Sequence, residues 1–305
     1  MSSLTRPTRP SATRPPRRPD RSDGYAVDSA GKLRAQRAAI YVLLILGTVM
    51  FVLPFLWMVS TALKSPNEVF SFPPGFLPSS FQWQNFVDGW TVLPFTKFLL
   101  NTLLVVVAAV VGNMVSCILP AYAFARLEAR GKKVAFALLL ATMMIPIEVT
   151  LVPTFIMFSE LGMVNTLWPL ILPAWFGYAY FIFLLRQFFL SIPREYDEAA
   201  RIDGAGYFRT LWSVILPQAK PAVVTVAVFS FVGNWNNLLI PIIYLRTQDK
   251  FTLAVGLQLF QGQFQTFYNQ MMAVALITIL PLLILFLVAQ KAFIEGANMS
   301  GLGGR

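Results

Sequence analysis

Polar and apolar positions in this chain sort into long charge-free blocks separated by short charged stretches. Between Arg37 and Lys64 lie 26 uncharged residues, and between Lys97 and Arg126 lie 28. Lys133 to Glu160 encloses 26, interrupted only by Glu148, while Glu160 to Arg186 and Lys220 to Arg246 each enclose 25. The block between Lys250 and Lys291 holds 40, and its half at 271–290 is continuously apolar. A helix needs roughly 20 apolar residues to cross a bilayer. The pattern therefore predicts an all-α integral membrane protein with six transmembrane helices and no soluble domain. It divides the chain into a polar tail (1–37), a first span (38–63), a linking segment (64–97), a core of five spans (98–290) and a second tail (291–305).

Composition agrees. Of 305 residues 56% are hydrophobic and 12% charged, half the roughly 25% charge of a soluble domain. Histidine is absent and Cys117 is the single cysteine, which excludes histidine acid–base catalysis, disulfides and the usual His/Cys metal sites. The net charge of +10 becomes informative once it is sorted by loop. The first tail carries nine Lys and Arg, the loop at 126–133 four, the segment 186–220 five and the last tail two. The intervening loops share only Lys64, Lys97, Arg246 and Lys250. Positive charge accumulates on the cytoplasmic side, so both termini are predicted there, in a cell membrane. The basic balance then reports topology and contact with membrane lipids, and no nucleic-acid partner is implied.

Five prolines and six arginines within the first 23 residues predict a disordered tail, either an orientation anchor or a segment drawn to anionic lipid. The first span is too long and too late for a signal-peptide core and is expected to stay uncleaved. The segment 64–97, with Phe70, Phe72, Phe76, Phe81, Trp83, Phe86 and Trp90, suits the headgroup level on the outer face.

The longest predicted cytoplasmic loop, 191–217, carries the functional signal. Pro193 suits a first helical turn, and Glu195, Asp197 and Glu198 place negative charge at the positive helix end, with Arg201 near the other. Gly204 or Gly206 can supply a left-handed cap, giving a short helix over 193–204. At its middle Ala199 and Ala200 leave a low surface that another backbone can approach closely. A second short helix is expected near 207–216, ending at Pro217.

Glu198-Ala199-Ala200, three residues, Gly204, then Val214-Ile215-Leu216-Pro217 resembles the "EAA" signature of binding-protein-dependent ABC importer permeases. The run Glu198-Ala-Ala-Arg-Ile-Asp-Gly-Ala is similar to the carbohydrate branch, as in smaller permease subunits of maltose type. Asn234-Trp235-Asn236-Asn237, Met144-Ile145-Pro146, Leu161-Gly162 and Thr252-Leu253-Ala254-Val255-Gly256 resemble further segments of that branch, and the likeness spans about 40–304. It implies the type I ABC importer transmembrane fold and a pore shared with a homologous permease subunit. It also implies two ATPase subunits and an extracytoplasmic sugar-binding protein. Glu198, Ala199, Ala200 and Gly204 would dock on an ATPase. The ending, with Gly301, Gly303 and Gly304, is similar to a tail that lies against the ATPase pair, although Arg305 stands near where that tail commonly has lysine.

Inside the predicted spans, Glu148 is the one ionisable group; it touches solute or gate, or else meets a structural partner or snorkels outward. Ser230, Asn234, Asn237 and Pro241 share a helical stripe. Their amides, with the ring face of Trp235, suit a sugar hydroxyl array; interhelical hydrogen bonding is the other reading. Cys117 reads as a small buried hydrophobe, and the prolines near the spans read as kinks. No Gly-x-x-x-x-Gly-Lys-[Ser/Thr] run occurs, so no catalytic residue, cofactor or metal is assigned to this chain, and ATP and Mg belong to partner ATPase subunits. Competing readings are an ABC permease for a non-sugar solute, a secondary transporter and an intramembrane enzyme. The last is disfavoured by a single membrane carboxylate where aspartyl catalysis needs two.

Overall fold

A computed structural model describes residues 23–261 and 267–302, and among these the regular structure is helical. The first helix, α1 (Asp23–Ala62), starts inside the tail predicted to be disordered. The last proline of that tail is Pro19, so nothing after it forbids helical backbone from extending back beyond the apolar block. Apolar side chains between Ile40 and Leu56 are exposed, the surface that lipid would solvate. Residues 1–22 lie outside the described residues.

The aromatic segment forms two short helices, α2 (Pro66–Val69) and α3 (Gln84–Val92). Glu68 closes a capping box, accepting the Ser65 N–H at 2.9 Å and the Ser79 N–H at 2.8 Å. These bonds, the Ser79 side chain first, lower its pKa from 4.5 to about 2. Asn85 Nδ2 donates to the Ala62 and Lys64 carbonyls, and Asn269 Nδ2 donates to Asn85 Oδ1 at 3.0 Å.

Next comes α4 (Phe95–Arg126), the helix around which the others pack. The expected third span is two helices, α5 (Lys132–Thr142) and α6 (Ile147–Glu160), bent by 92°. The bend follows from Pro146, which sits in extended backbone at φ −62°, ψ 144°; proline also bars the residue before it from helical conformation. After α7 (Trp168–Ile171) and a 3-10 turn (Leu172–Phe176), Gly177 at φ +90° admits α8 (Ala179–Ser191). Then come α9 (Glu195–Ile202) and α10 (Tyr207–Thr210), a π turn (Leu211–Ile215) and α11 (Leu216–Gln218). This helical run passes Pro217 and stops at Ala219, whose N–H bonds the Ile215 and Leu216 carbonyls. It meets α12 (Lys220–Trp235) at 82°. The chain ends in α13 (Leu239–Tyr244), α14 (Leu253–Gln258) and α15 (Tyr268–Leu302). Helical backbone thus continues through most of the second tail, and Gly303, Gly304 and Arg305 lie outside the described residues. Four helical stretches have the length and hydropathy of a membrane span, and six do if each bent pair counts as one.

Close packing on α4 rests on small residues. A Cβ on Gly112 would lie 2.7 Å from Trp175 Cδ1, so only glycine lets that indole seat against the helix. Toward the α9 end, Cys117, Ala121 and Ala125 of α4 form a buried cluster with Leu185 and Phe189 of α8, Ile215 and Val226. At the opposite end, Phe95, Phe98 and Val106 pack with Trp235, Leu253 and Val274.

Candidate functional site

Two features stand out, an exposed short helix and a cavity with neutral polar groups in its wall. In α9 the acids Glu195, Asp197 and Glu198 occupy the first turn and Arg201 the last, the arrangement that the helix dipole favours. Its end is a Schellman cap: Gly204 N–H bonds the Arg201 carbonyl at 3.0 Å, and Ala205 N–H bonds the Ala200 carbonyl at 2.8 Å. Gly204, at φ +75°, is the left-handed residue. Gly206, at φ −73°, instead opens α10.

Glu198, Ala199 and Gly204 are exposed, and a Cβ on Gly204 would meet nothing within 4 Å. Ala200 is 6% exposed and faces its own chain, so of the two alanines only Ala199 is open to another molecule. Around this helix Ile202 is 87% exposed, with Phe208 and Trp212 also open. These apolar side chains were not singled out from the sequence, where they look like ordinary members of amphipathic segments. The helix is tied to α4 by Arg126, whose guanidinium lies 3.2 Å from the Asp197 carboxylate and donates from Nη2 to the Ile192 carbonyl at 2.6 Å. Some seventy positions separate Arg126 from Asp197, and no local pattern announces the pair.

The cavity, about 700 Å³, is bounded by α6, α8, α12 and the chain leading to α13. From α6 it takes Ile147, Thr150, Leu151, Thr154 and Phe158, spaced as one helical face. From α12 and the turn after it come Ser230, Asn234 and Asn237, with Tyr178, Tyr180 and Tyr244 completing the polar wall. Asn234 Nδ2 donates to the Ser230 carbonyl at 2.7 Å, a bond within its own helix. Asn237 Oδ1 accepts the Ile240 N–H at 3.3 Å and so starts α13. The interhelical bond is made by a residue the sequence reading passed over: Asn113 Nδ2 of α4 donates to Ser230 Oγ at 2.9 Å. A polar residue in the middle of an apolar block was the available signal.

Trp235 stands apart. It is 4% exposed, stacks on Phe231 at 5.3 Å and donates to the Thr278 carbonyl at 3.2 Å. One residue along a helix turns the side chain by about 100°, which carries Trp235 off the stripe of Asn234 and into the core. It offers no ring face to a solute. Glu148 is also outside the cavity; it is exposed on α6, one position round from Ile147. Among the described residues no cluster of three or more His, Cys, Asp or Glu could hold a metal ion. The cavity is mostly apolar and aromatic, with amides and hydroxyls set among those side chains, and no charged side chain lines it among the described residues.

Apolar helices of membrane-spanning length, two of them broken, surround the cavity, and a capped helix is exposed beyond them. The family profile of the binding-protein-dependent transport system inner membrane component matches residues 112–295, and the chain belongs to that family, a family of transport permeases. It is 34% identical over 266 residues to the diacetylchitobiose uptake system permease protein NgcG of Streptomyces coelicolor, covering 86% of this chain and 88% of that protein. It is 31% identical over 264 residues to the sn-glycerol-3-phosphate transport system permease protein UgpE of Yersinia pestis, covering 84% and 94%. A chain from the crystal structure of a bacterial ABC transporter involved in the import of the acidic polysaccharide alginate superposes with a TM-score of 0.76. That chain is 25% identical, over 85% of this chain and 97% of its own.

Proposed function

We propose that this chain is a permease subunit of an ATP-driven importer, forming half of a heterodimeric pore that translocates a di- or oligosaccharide. An extracytoplasmic binding protein delivers the sugar. Six spans cross the cell membrane with both termini cytoplasmic, each bent pair acting as one span. On the cytoplasmic side α9 docks on an ATPase subunit, through Glu198, Ala199 and Gly204, with Ile202 as the apolar contact. ATP and Mg are held by the two ATPase subunits, and the chain itself binds no cofactor.

One observation carries the choice of solute: the cavity is lined by apolar and aromatic side chains interspersed with neutral hydrogen-bonding groups such as Thr150, Ser230, Asn234 and Asn237, and by no charged group among the described residues. Sugar hydroxyls both donate and accept, as amides and hydroxyls do. A phosphate or uronate in a low-dielectric site would require a cation, and this half of the pore supplies none among the residues lining it. The diacetylchitobiose relative supports the same solute class; the glycerol-phosphate relative keeps a non-sugar solute as the alternative. The test is purification with the partner subunits and sugar-stimulated ATP hydrolysis in nanodiscs. Stimulation by a neutral oligosaccharide is expected. A response to sn-glycerol-3-phosphate alone would remove the sugar assignment and leave the importer assignment in place.

A further inference from the structure

The geometry points to the Arg126–Asp197 pair as the positioning strut through which movement of α9 reaches the cavity. This inference rests on the importer reading above and adds to it the path of transmission.

Left to its own connections, α9 is poorly placed to push anything. It has eight residues. The chain leaves it through Gly204 and Ala205, whose N–H groups close the cap, and then Gly206, beyond those bonds, where glycine lets the backbone turn. Its packing partners are the next segments of the same loop, α10 and the π turn at Leu211–Ile215. On the side facing α4 a cavity of about 300 Å³ opens, lined by Tyr122, Arg126, Asp197, Arg201, Gly206 and Thr210 among others. A push on α9 alone could therefore be absorbed by rotation about the glycine joint into that space.

Arg126 spans this gap. It is the last residue of α4, and its side chain is 5% exposed against 13% for Asp197. One guanidinium nitrogen lies 3.2 Å from the Asp197 carboxylate, while another donates at 2.6 Å to the carbonyl of Ile192, in the linker between α8 and α9. The carbonyl bond and the charge contact together join α9 and the linker after α8 to α4; the Asp197 contact is electrostatic, since Asp197 Oδ2 and Arg126 Nε have no hydrogen-bond partner. Both side chains are largely buried, though they also border the cavity of about 300 Å³, so screening of the attraction is reduced but not removed.

From Arg126, α4 runs back to Asn113, about 20 Å at 1.5 Å per residue. There Asn113 is bonded to Ser230 of α12 at the cavity wall. The Asn113 carbonyl oxygen is buried without a partner, so this contact is one a small shift of α4 against α12 would rearrange. A push on α9 consequently arrives where Ser230 and Asn234 face the solute.

The experiment uses the complete complex with its binding protein in nanodiscs and reads solute transported per ATP hydrolysed. R126M/D197L removes the strut while keeping the site filled, a replacement that buried ion pairs often tolerate without loss of stability. It should assemble with an unchanged melting temperature and hydrolyse ATP, yet transport about tenfold less solute per ATP, within the usual range of coupling effects. R126D/D197R, which restores opposite charges in reversed order, should recover part of that ratio, and R126K should fall between. A wild-type ratio in R126M/D197L overturns the strut, as does a loss of hydrolysis and transport in equal proportion, which would mark a purely structural pair. Gly204→Trp, run in parallel, tests the docking reading itself. If G204W blocks uptake while R126M/D197L transports normally, the strut alone is wrong; if G204W transports normally, the docking assignment is wrong.

Discussion

Trp235 and Asn237 lie two residues apart, and the environments they occupy assign them opposite jobs. Trp235 is buried, stacked and hydrogen-bonded to the Thr278 carbonyl. Removing so large a buried side chain costs about 3–5 kcal/mol. Trp235→Ala should therefore lower yield and melting temperature, and any residual uptake should keep the wild-type solute preference. Asn237 reaches the cavity, and its side chain is not part of the packed core. Asn237→Ala loses the long bond to the Ile240 N–H at the start of α13, a cost of about 0.5–2 kcal/mol, so it should lower the melting temperature less than Trp235→Ala and should alter uptake. A large stability loss in N237A would place that amide among the structural groups instead. Gly204 separates two causes in the same way. Its φ of +75° costs most residues about 1–2 kcal/mol, but asparagine adopts left-handed backbone more readily. Gly204→Asn should thus retain the cap and much of the transport. Gly204→Trp meets nothing of its own chain within 4 Å of the Cβ but shares the left-handed strain; it should abolish uptake with normal membrane insertion, where strain alone would only weaken the cap. Equal transport by both variants would sink the docking role.

Among the elements, α2 is too short to persist by itself and depends on its cap. Glu68 accepts bonds from Ser65 and Ser79, and its pKa falls from 4.5 to about 2. A carboxylate with a depressed folded pKa contributes stability that is complete above the unfolded value and lost as pH falls through the folded one. Protection of the Ser65 and Ser79 amides, relative to intrinsic exchange at each pH, should accordingly hold down to pH 4.5 and fall toward pH 2. Glu68→Gln should show no such step, and an identical pH profile in both proteins would refute the assignment. The capping box was not read from the sequence although Ser65 and Glu68 have the spacing for it, because the aromatic residues around them dominated the segment. The apolar blocks and the Gly204 cap were legible because each depends on local chemistry: lipid-length hydrophobicity in one case, a glycine at a helix end in the other. The breaks at Pro146 and Ala219 were only half legible. A proline announces an interruption, but whether the two halves then meet at 10° or 92° is decided by what they pack against. Asn113 with Ser230 and Arg126 with Asp197 were illegible for the same reason: each pair joins helices far apart in sequence, and only the assembled bundle brings them together.

For the whole molecule, the loops at the α9 end, 126–133 and 186–220, carry nine Lys and Arg against five acids, and the loops opposite, with Lys64, Lys97, Arg246 and Lys250, carry four against four, which supports placing α9 on the side where ATP is found. On that arrangement, the docking helix lies at one end of α4 and the cavity beside its middle at Asn113, and α4 links them. Two sites on one equilibrium must influence each other equally, since the coupling free energy has a single value. The assembled transporter in nanodiscs should then bind a nonhydrolysable ATP analogue more tightly when the sugar-loaded binding protein is present, by about 5–150-fold. The loaded binding protein should gain affinity by the same factor when the analogue is added. Both factors should approach one in G204W, where docking is blocked, and both should shrink together in R126M/D197L, where docking persists but its transmission through α4 is cut. Titrating each ligand in the presence and absence of the other measures all four quantities. A factor of one in the unmodified complex would mean that α9 and the cavity do not share an equilibrium, and transport would then need some other route from ATP to solute.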